Sequence, residues 1–339
     1  MSNLHLVPQI FVLCTILLVH QGMADRLSLD THEENMDASS VLISMKENRT
    51  SSQYTNCNIT SADITYMSQM SYARALPLKG DGDTKYYFAA HLTKGNDKAY
   101  YGISAIMDVY GHNLNVGQLS AGAIWIHNWE GDVDKNLNTI IVGWVVWPYR
   151  FNDSRTHLFT VWTKDNYRNT GCVNLDCPGF QLVKGSPISP GDIISPVSGI
   201  NTKRQTITIR VSKETSSGDW WLYCGINKAP TRVGYFPASL FNSLSSKATQ
   251  ISIGGHARST TNTTAPPMRS GAFASIPSKA ASIHDIWLIH NDGRSTPIDN
   301  DGPTKVPDGK LYSASPRKSA ILLWRARREI LVRWISRPM

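Results

Sequence analysis

The chain has 339 residues, of which 41% are hydrophobic and only 18% charged, and ten tryptophans leave ample material for a packed core. Its length suits one large domain or two ordinary ones. The formal net charge of +8 does not mark a nucleic-acid binder: residues 310–339 carry eight Lys/Arg against one acid, so the rest of the chain is close to neutral.

The first 24 residues contain an apolar run, IFVLCTILLV (10–19), followed by the small residues Gly22 and Ala24. The run is too short to span a bilayer and reads as a signal peptide, cut before Asp25. Its removal takes Cys14 away and leaves Cys57, Cys172, Cys177 and Cys224. An even count in an oxidising compartment predicts disulfides. Glycosylation sequons at Asn48, Asn58, Asn152 and Asn262 agree with a secreted, extracellular chain.

Residues 25–85 are polar and weakly patterned and are expected to form a short extended segment. From about Tyr86 the texture changes. YYGISAIMDVYG, GAIWIHNW, TIIVGWVVWP, HLFTVWTK, QTITIRVS, DWWLYCG, ATQISIGG and SIHDIWLIH are short aromatic and β-branched runs, separated by Gly, Asn, Asp and Pro. QTITIRVS alternates, with Ile207, Ile209 and Val211 on one face. Only NYRNTG and PASLFNSLSSKA look locally helical or turn-like. The pattern predicts an all-β, antiparallel sandwich or barrel.

Individual residues carry narrower expectations. Trp220 and Trp221 are expected to fill the core rather than bind sugar. Cys172 and Cys177, in GCVNLDCPGF, are expected to pin a tight loop by a local disulfide, since no second ligand pair supports a metal site. No phosphate loop, GxSxG elbow or metal motif is present, so neither cofactor nor metal is predicted. ISIGGHARS (251–259) reads as a strand end running into a turn, with His256 just past Gly254 and Gly255.

The runs GWVVWP, LFTVWTKDNY, TGCVNLDCPGF, SPVS, DWWLYCG, VGYFPASLF and IGG, in this order, resemble the neprosin family of secreted plant proteins. The resemblance covers roughly residues 86–312 and implies a β-sandwich. It also implies an activity, proline-directed glutamic endopeptidase, and an N-terminal activation domain that the short segment 25–85 replaces. Such chemistry needs two carboxyls, one ionised to take a proton from water and one protonated to assist the carbonyl or leaving amine.

By this resemblance the two glutamates fall at Ile141, before Gly-Trp, and at His256, after Gly-Gly; neither is an acid. Trp125, Trp144, Gly254 and Gly255 are the candidates to line the substrate cleft. Between Tyr86 and Asn300 the only glutamates are Glu130 and Glu214, both read as solvated loop acids. An aspartate would hold its carboxylate about a bond length short, and misplacements near an ångström cost about 10²-fold. With an ordinary pKa of about 6.5, His256 is expected to be protonated at acidic pH.

The domain boundaries expected are a signal peptide at 1–24, the polar segment at 25–85, the sandwich at 86–309 and a divergent basic tail at 310–339. Cys57 and Cys224 are left to pair with each other or to stay free. The function expected is that of an inactive, peptide-binding relative, with proline-rich peptides or wall proteins as partners. The alternatives are an active peptidase using other acids, and a polybasic interaction protein whose tail alone would touch a membrane surface.

Overall fold

The computed structural model describes residues 83–93, 98–199, 202–268, 270, 280–298, 302–306, 311–317 and 320–325. The signal peptide, residues 25–82 of the polar segment, Asn48, Asn58 and Cys57 lie outside them. Sixteen strands are described: β1 (Thr84–Leu92), β2 (Gly102–Asp108), β3 (Gln118–Asn128), β4 (Asn138–Val146), β5 (Thr156–Thr163), β6 (Cys172–Val173), β7 (Gln181–Leu182) and β8 (Thr206–Lys213). These are followed by β9 (Trp220–Ile226), β10 (Thr231–Phe236), β11 (Gln250–Thr260), β12 (Ala281–Ile289), β13 (Ser295–Pro297), β14 (Thr304–Lys305), β15 (Tyr312–Arg317) and β16 (Ala320–Arg325).

Two antiparallel sheets result. One runs β14-β1-β11-β3-β4-β5-β6; the other runs β15-β16-β12-β2-β8-β9-β10-β7, with β13 on β12. Every run singled out in the sequence contains a strand. β1, β6, β7, β10 and β13–β16 complete the set, and two single-turn helices, α1 (Val133–Asn136) and α2 (Pro148–Phe151), sit in the loops after β3 and β4. PASLFNSLSSKA forms two 3₁₀ turns, Ala238–Leu240 and Ser243–Ser245.

The main core lies between the sheets. From the first it takes Ile124, Ile126, Ile140, Val142, Trp144, Val146, Ile251 and Ile253; from the second, Ile103, Ile207, Ile209, Val211, Trp220 and Leu222. Burial of each such side chain contributes about 1.5–3 kcal/mol. Trp144 Nε1 donates to Asp108 O at 3.0 Å and Trp220 Nε1 to Leu244 O at 2.9 Å, so neither buried indole loses its hydrogen bond. The Asp108 carboxylate, also buried, accepts from Ser282 N, Ser282 Oγ and Arg204 Nη1, and ties β12 to the end of β2.

The Cys172–Cys177 disulfide is present and closes the loop after β6. Cys224 is a buried free thiol in the core, its pKa pushed up to about 12 by burial. Residues 312–325 supply β15 and β16, so the sheet does not end at the expected boundary of 309. Pairing of β16 with β12 explains the difference: AILLWR is an apolar run that the second sheet takes in as a strand. No helix among the described residues is long and apolar enough to cross a membrane.

Candidate functional site

β11 does not turn at its glycines. It runs unbroken from Gln250 to Thr260, and His256 is a buried mid-strand residue. Gly254 meets a different need from a turn. A Cβ there would stand 2.2 Å from Ala89 O on β1, so only glycine allows this approach of the two strands. Gly143 on β4 is equally confined, with Gly122 O 2.0 Å from where a Cβ would be.

Strand alternation assigns each candidate to a face. Ile251, Ile253 and Ala257 of β11 point into the sandwich, so Gly254 and His256 point outward. On β3 and β4 the outward residues are Leu119, Ala121, Ala123, Trp125, Ile141 and Val145, a second cluster with Phe159, Val161 and Trp147. Ile141 and His256 therefore share one face of one sheet, on strands flanking β3. Trp125 and Gly254 share it too. Trp144 and Gly255 do not: both face the core, so these two cleft candidates are corrected. Register places Gly255 and Trp144 on either side of Gly122, and two glycines give the Trp144 indole room beneath the sheet.

The pairing register resolves the outer face into rows. Leu92, Ser252, Trp125, Ile141 and Val161 form one, and Phe88, His256, Ala121, Val145 and His157 another. Between them runs Ala90, Gly254, Ala123, Gly143 and Phe159. The two positions of interest thus stand diagonally across a band of small residues. All these residues are buried, so this face is closed to solvent.

His256 stacks on Phe88, with ring centroids 4.6 Å apart and planes within 3°. Burial, reinforced by the Arg258 guanidinium two residues along, holds its pKa well below 6.5. The expectation of a protonated imidazole at acidic pH is accordingly corrected: a ring stripped of water is costly to charge. Further along the face His127 is also buried, its pKa lowered to about 3, with Nδ1 3.0 Å from Thr139 Oγ1. Trp125 Nε1 has no acceptor among the described residues.

Sequence reading missed both His127 and His157. His157 ends the His256 row, stacks on Phe151 at 3.8 Å and bridges Gly191 O (2.7 Å) and Asp153 Oδ1 (3.1 Å). Partial burial alone would raise the Asp153 pKa, but hydrogen bonds from Arg155 and His157 pull it to about 2. The i, i+4 spacing of Asp153 and His157 was visible, but it straddles a loop and a strand start, where spacing says little about contact. Phe88 was missed because β1 was not among the runs recognised.

No carboxylate lies in the three rows. Glu130 is exposed in the loop after β3. Glu214 belongs to the other sheet's hairpin, where its Oε2 accepts from Trp221 Nε1 at 3.2 Å and Ser217 Oγ at 3.0 Å. The described face thus offers an alkyl group, a buried imidazole and an indole N–H, without a pair of acids. Both described sequon residues, Asn152 and Asn262, are exposed.

Solved structures with a related course of chain include scytalido-glutamic peptidase with a transition-state analogue inhibitor. It is 12% identical, with 72% of this chain and 100% of that chain covered and a TM-score of 0.42. SCP-B, a member of the Eqolisin family of peptidases in complex with the tripeptide Ala-Ile-His, is 12% identical with a TM-score of 0.36, covering 73% and 100%. Similarity this low carries nothing over to this chain. The sequence model of the Neprosin family, in contrast, matches residues 116–325, well over half of the chain and from the start of the Trp125-bearing strand to the end of β16. The chain belongs to the Neprosin family.

Proposed function

We propose that this chain is a secreted Neprosin-family protein that has lost peptide hydrolysis and retains the sheet face as a binding surface for extended, proline-rich peptides. One observation carries the reading: Ile141 and His256 share a face, flank a band of small residues, and neither is a carboxylic acid. Ile141 cannot take a proton from water. A buried histidine whose pKa lies well below 6.5 is a weak base. Glu130 and Glu214 do not compensate, since one is exposed in a loop and the other is bound to Trp221 on the opposite sheet.

The binding part of the reading rests on shape and one donor. The band Ala90, Gly254, Ala123 and Gly143 leaves width for a main chain between flanking large residues. Trp125 Nε1 is a buried donor without an acceptor among the described residues, suited to a peptide carbonyl. Because the face is closed to solvent, binding requires it to open, and association is expected to be slow.

The test is cleavage of a proline-containing peptide library by the mature chain from pH 3 to 7, read by mass spectrometry. The expected result is no product at any pH, and recovered cleavage in the Ile141→Glu/His256→Glu double variant. Cleavage by the native chain would overturn the reading. Its loss in a Glu130→Ala/Glu214→Ala variant would then move the chemistry to those acids.

A further inference from the structure

The outer face of the second sheet differs from its inner face and from the closed face just described. On β8, β9 and β10 the inward residues are Ile209, Val211, Trp220, Leu222, Val233 and Phe236, which leaves Arg210, Trp221, Tyr223, Arg232 and Tyr235 on the outside. The expectation that both tryptophans fill the core therefore holds for Trp220 and fails for Trp221. The register DWWLY makes the reason plain: neighbours in a strand point to opposite faces.

These side chains form an ordered platform. Trp221 and Tyr235 are cross-strand partners with ring centroids 4.7 Å apart. The Arg232 guanidinium lies 4.6 Å from the Trp221 ring centroid and its Nε donates to Tyr223 OH at 3.3 Å. Arg210 covers the Tyr223 ring from the other side at 5.6 Å. Glu214 holds the indole by its N–H. The rings are thus fixed before any ligand arrives, which lowers the ordering cost of binding.

Two further observations indicate a ligand. Neither Arg210 nor Arg232 has a carboxylate partner among the described residues, although both are exposed. The cross-strand row continues through Arg210 to Ser104 and then to Trp287, which is 41% exposed on β12. From Arg232 to Trp287 the row crosses five strands, a span of about 19 Å at the usual strand spacing.

We propose that this platform binds an acidic polysaccharide, a chain of uronate sugars whose ring faces stack on Trp221, Tyr235 and Trp287 while its carboxylates pair with Arg210 and Arg232. Stacked guanidinium groups keep their N–H edges available for carboxylates in the bidentate geometry that such groups favour. The two arginines stand two strands apart, about 10 Å, a distance suited to non-adjacent sugars of one chain. A peptide cannot be added as a strand here, because β2, β8 and β9 are interior strands with both edges paired. The proposal does not depend on the peptide-binding reading, which concerns the other sheet.

Titration calorimetry of the full secreted chain with polygalacturonate, its methyl-esterified form and a neutral galactan tests it. The expected result is binding to polygalacturonate, weakened about tenfold or more by esterification and by Arg210→Ser/Arg232→Ser. Trp287→Ala, at an exposed position that leaves folding intact, is expected to weaken it severalfold. Equal binding of the esterified or neutral polymer overturns the proposal, as does binding unchanged in both variants, which would place the contact elsewhere on the basic chain. Equal or tighter binding of polyglutamate or polyuridylate also overturns it, by making the platform a general anion or nucleic-acid surface.

Discussion

The two sheets use their outer faces in opposite ways. Across β11, β3, β4 and β5 the outer face of the seven-stranded sheet is buried as completely as the inner face. QLSAGAIWIHN and NTIIVGWVV accordingly have no exposed position. The outer face of the second sheet is open, and TITIRVSK and WWLYCGI alternate between buried and partly exposed positions. A strand covered on both sides reads as a continuous apolar run, while one covered on a single side alternates. The difference shows that Ile141 and Trp125 belong to a second small core, whose residues answer for stability as well as for any binding. The aromatic platform is free of that duty.

The largest expected effect comes from the glycines of the closed face. Gly143→Ala and Gly254→Ala each drive a methyl group into neighbouring backbone, and each should cost about 3 kcal/mol or more. Ser104→Ala on the open face should change urea stability by less than about 0.5 kcal/mol. Equal effects at the two sites would break the comparison.

The tryptophans give the next contrast. Trp125→Ala leaves a cavity in a fully buried cluster and should cost about 3–5 kcal/mol. Trp221→Ala, half-exposed, should cost less than half as much, measured in the same denaturant titration.

Acid sensitivity should also follow the closed face. The folded pKa values of His127 and His256 lie below the unfolded value near 6.5. The unfolded chain thus binds protons that the folded chain does not. Their contribution is present above that pH and lost as pH falls, at up to about 1.4 kcal/mol per pH unit for each group. For His127 the loss continues down to about pH 3. Unfolding measured from pH 7 to 4 should show His127→Gln flattening this dependence.

The smallest expected effect is that of Arg210→Ser/Arg232→Ser on stability. Exposed cation–π contacts contribute about 0.5–1 kcal/mol each, so the double variant should unfold within about 2 kcal/mol of the native chain. It therefore remains usable in the polysaccharide titration.

Ile141 and His256 show how far the sequence carried the candidate site. Their separation from Gly-Trp and Gly-Gly identified them, but nothing in either segment indicated that they share a face. That depends on β3 pairing with both strands, and β11 lies more than a hundred residues from β3 and β4. Gly254–Gly255 misled because adjacent glycines serve turns and close strand approaches equally well, and only the position of Ala89 O distinguishes the two. Trp144 misled in the same way, since a single-residue shift in register exchanges core for outer face.

By itself the sequence determined the chemistry present: an all-β chain, a local disulfide, no acid at either position of interest, and tryptophans in strands. Strand periodicity and residue type are local properties, so these conclusions needed no partner segment. The tertiary structure alone decided which face each side chain occupies, that the outer face of one sheet is closed, and that burial lowers the His256 pKa. Facing, burial and pKa arise from neighbours brought together across the chain, and their identity is fixed only when the sheets form.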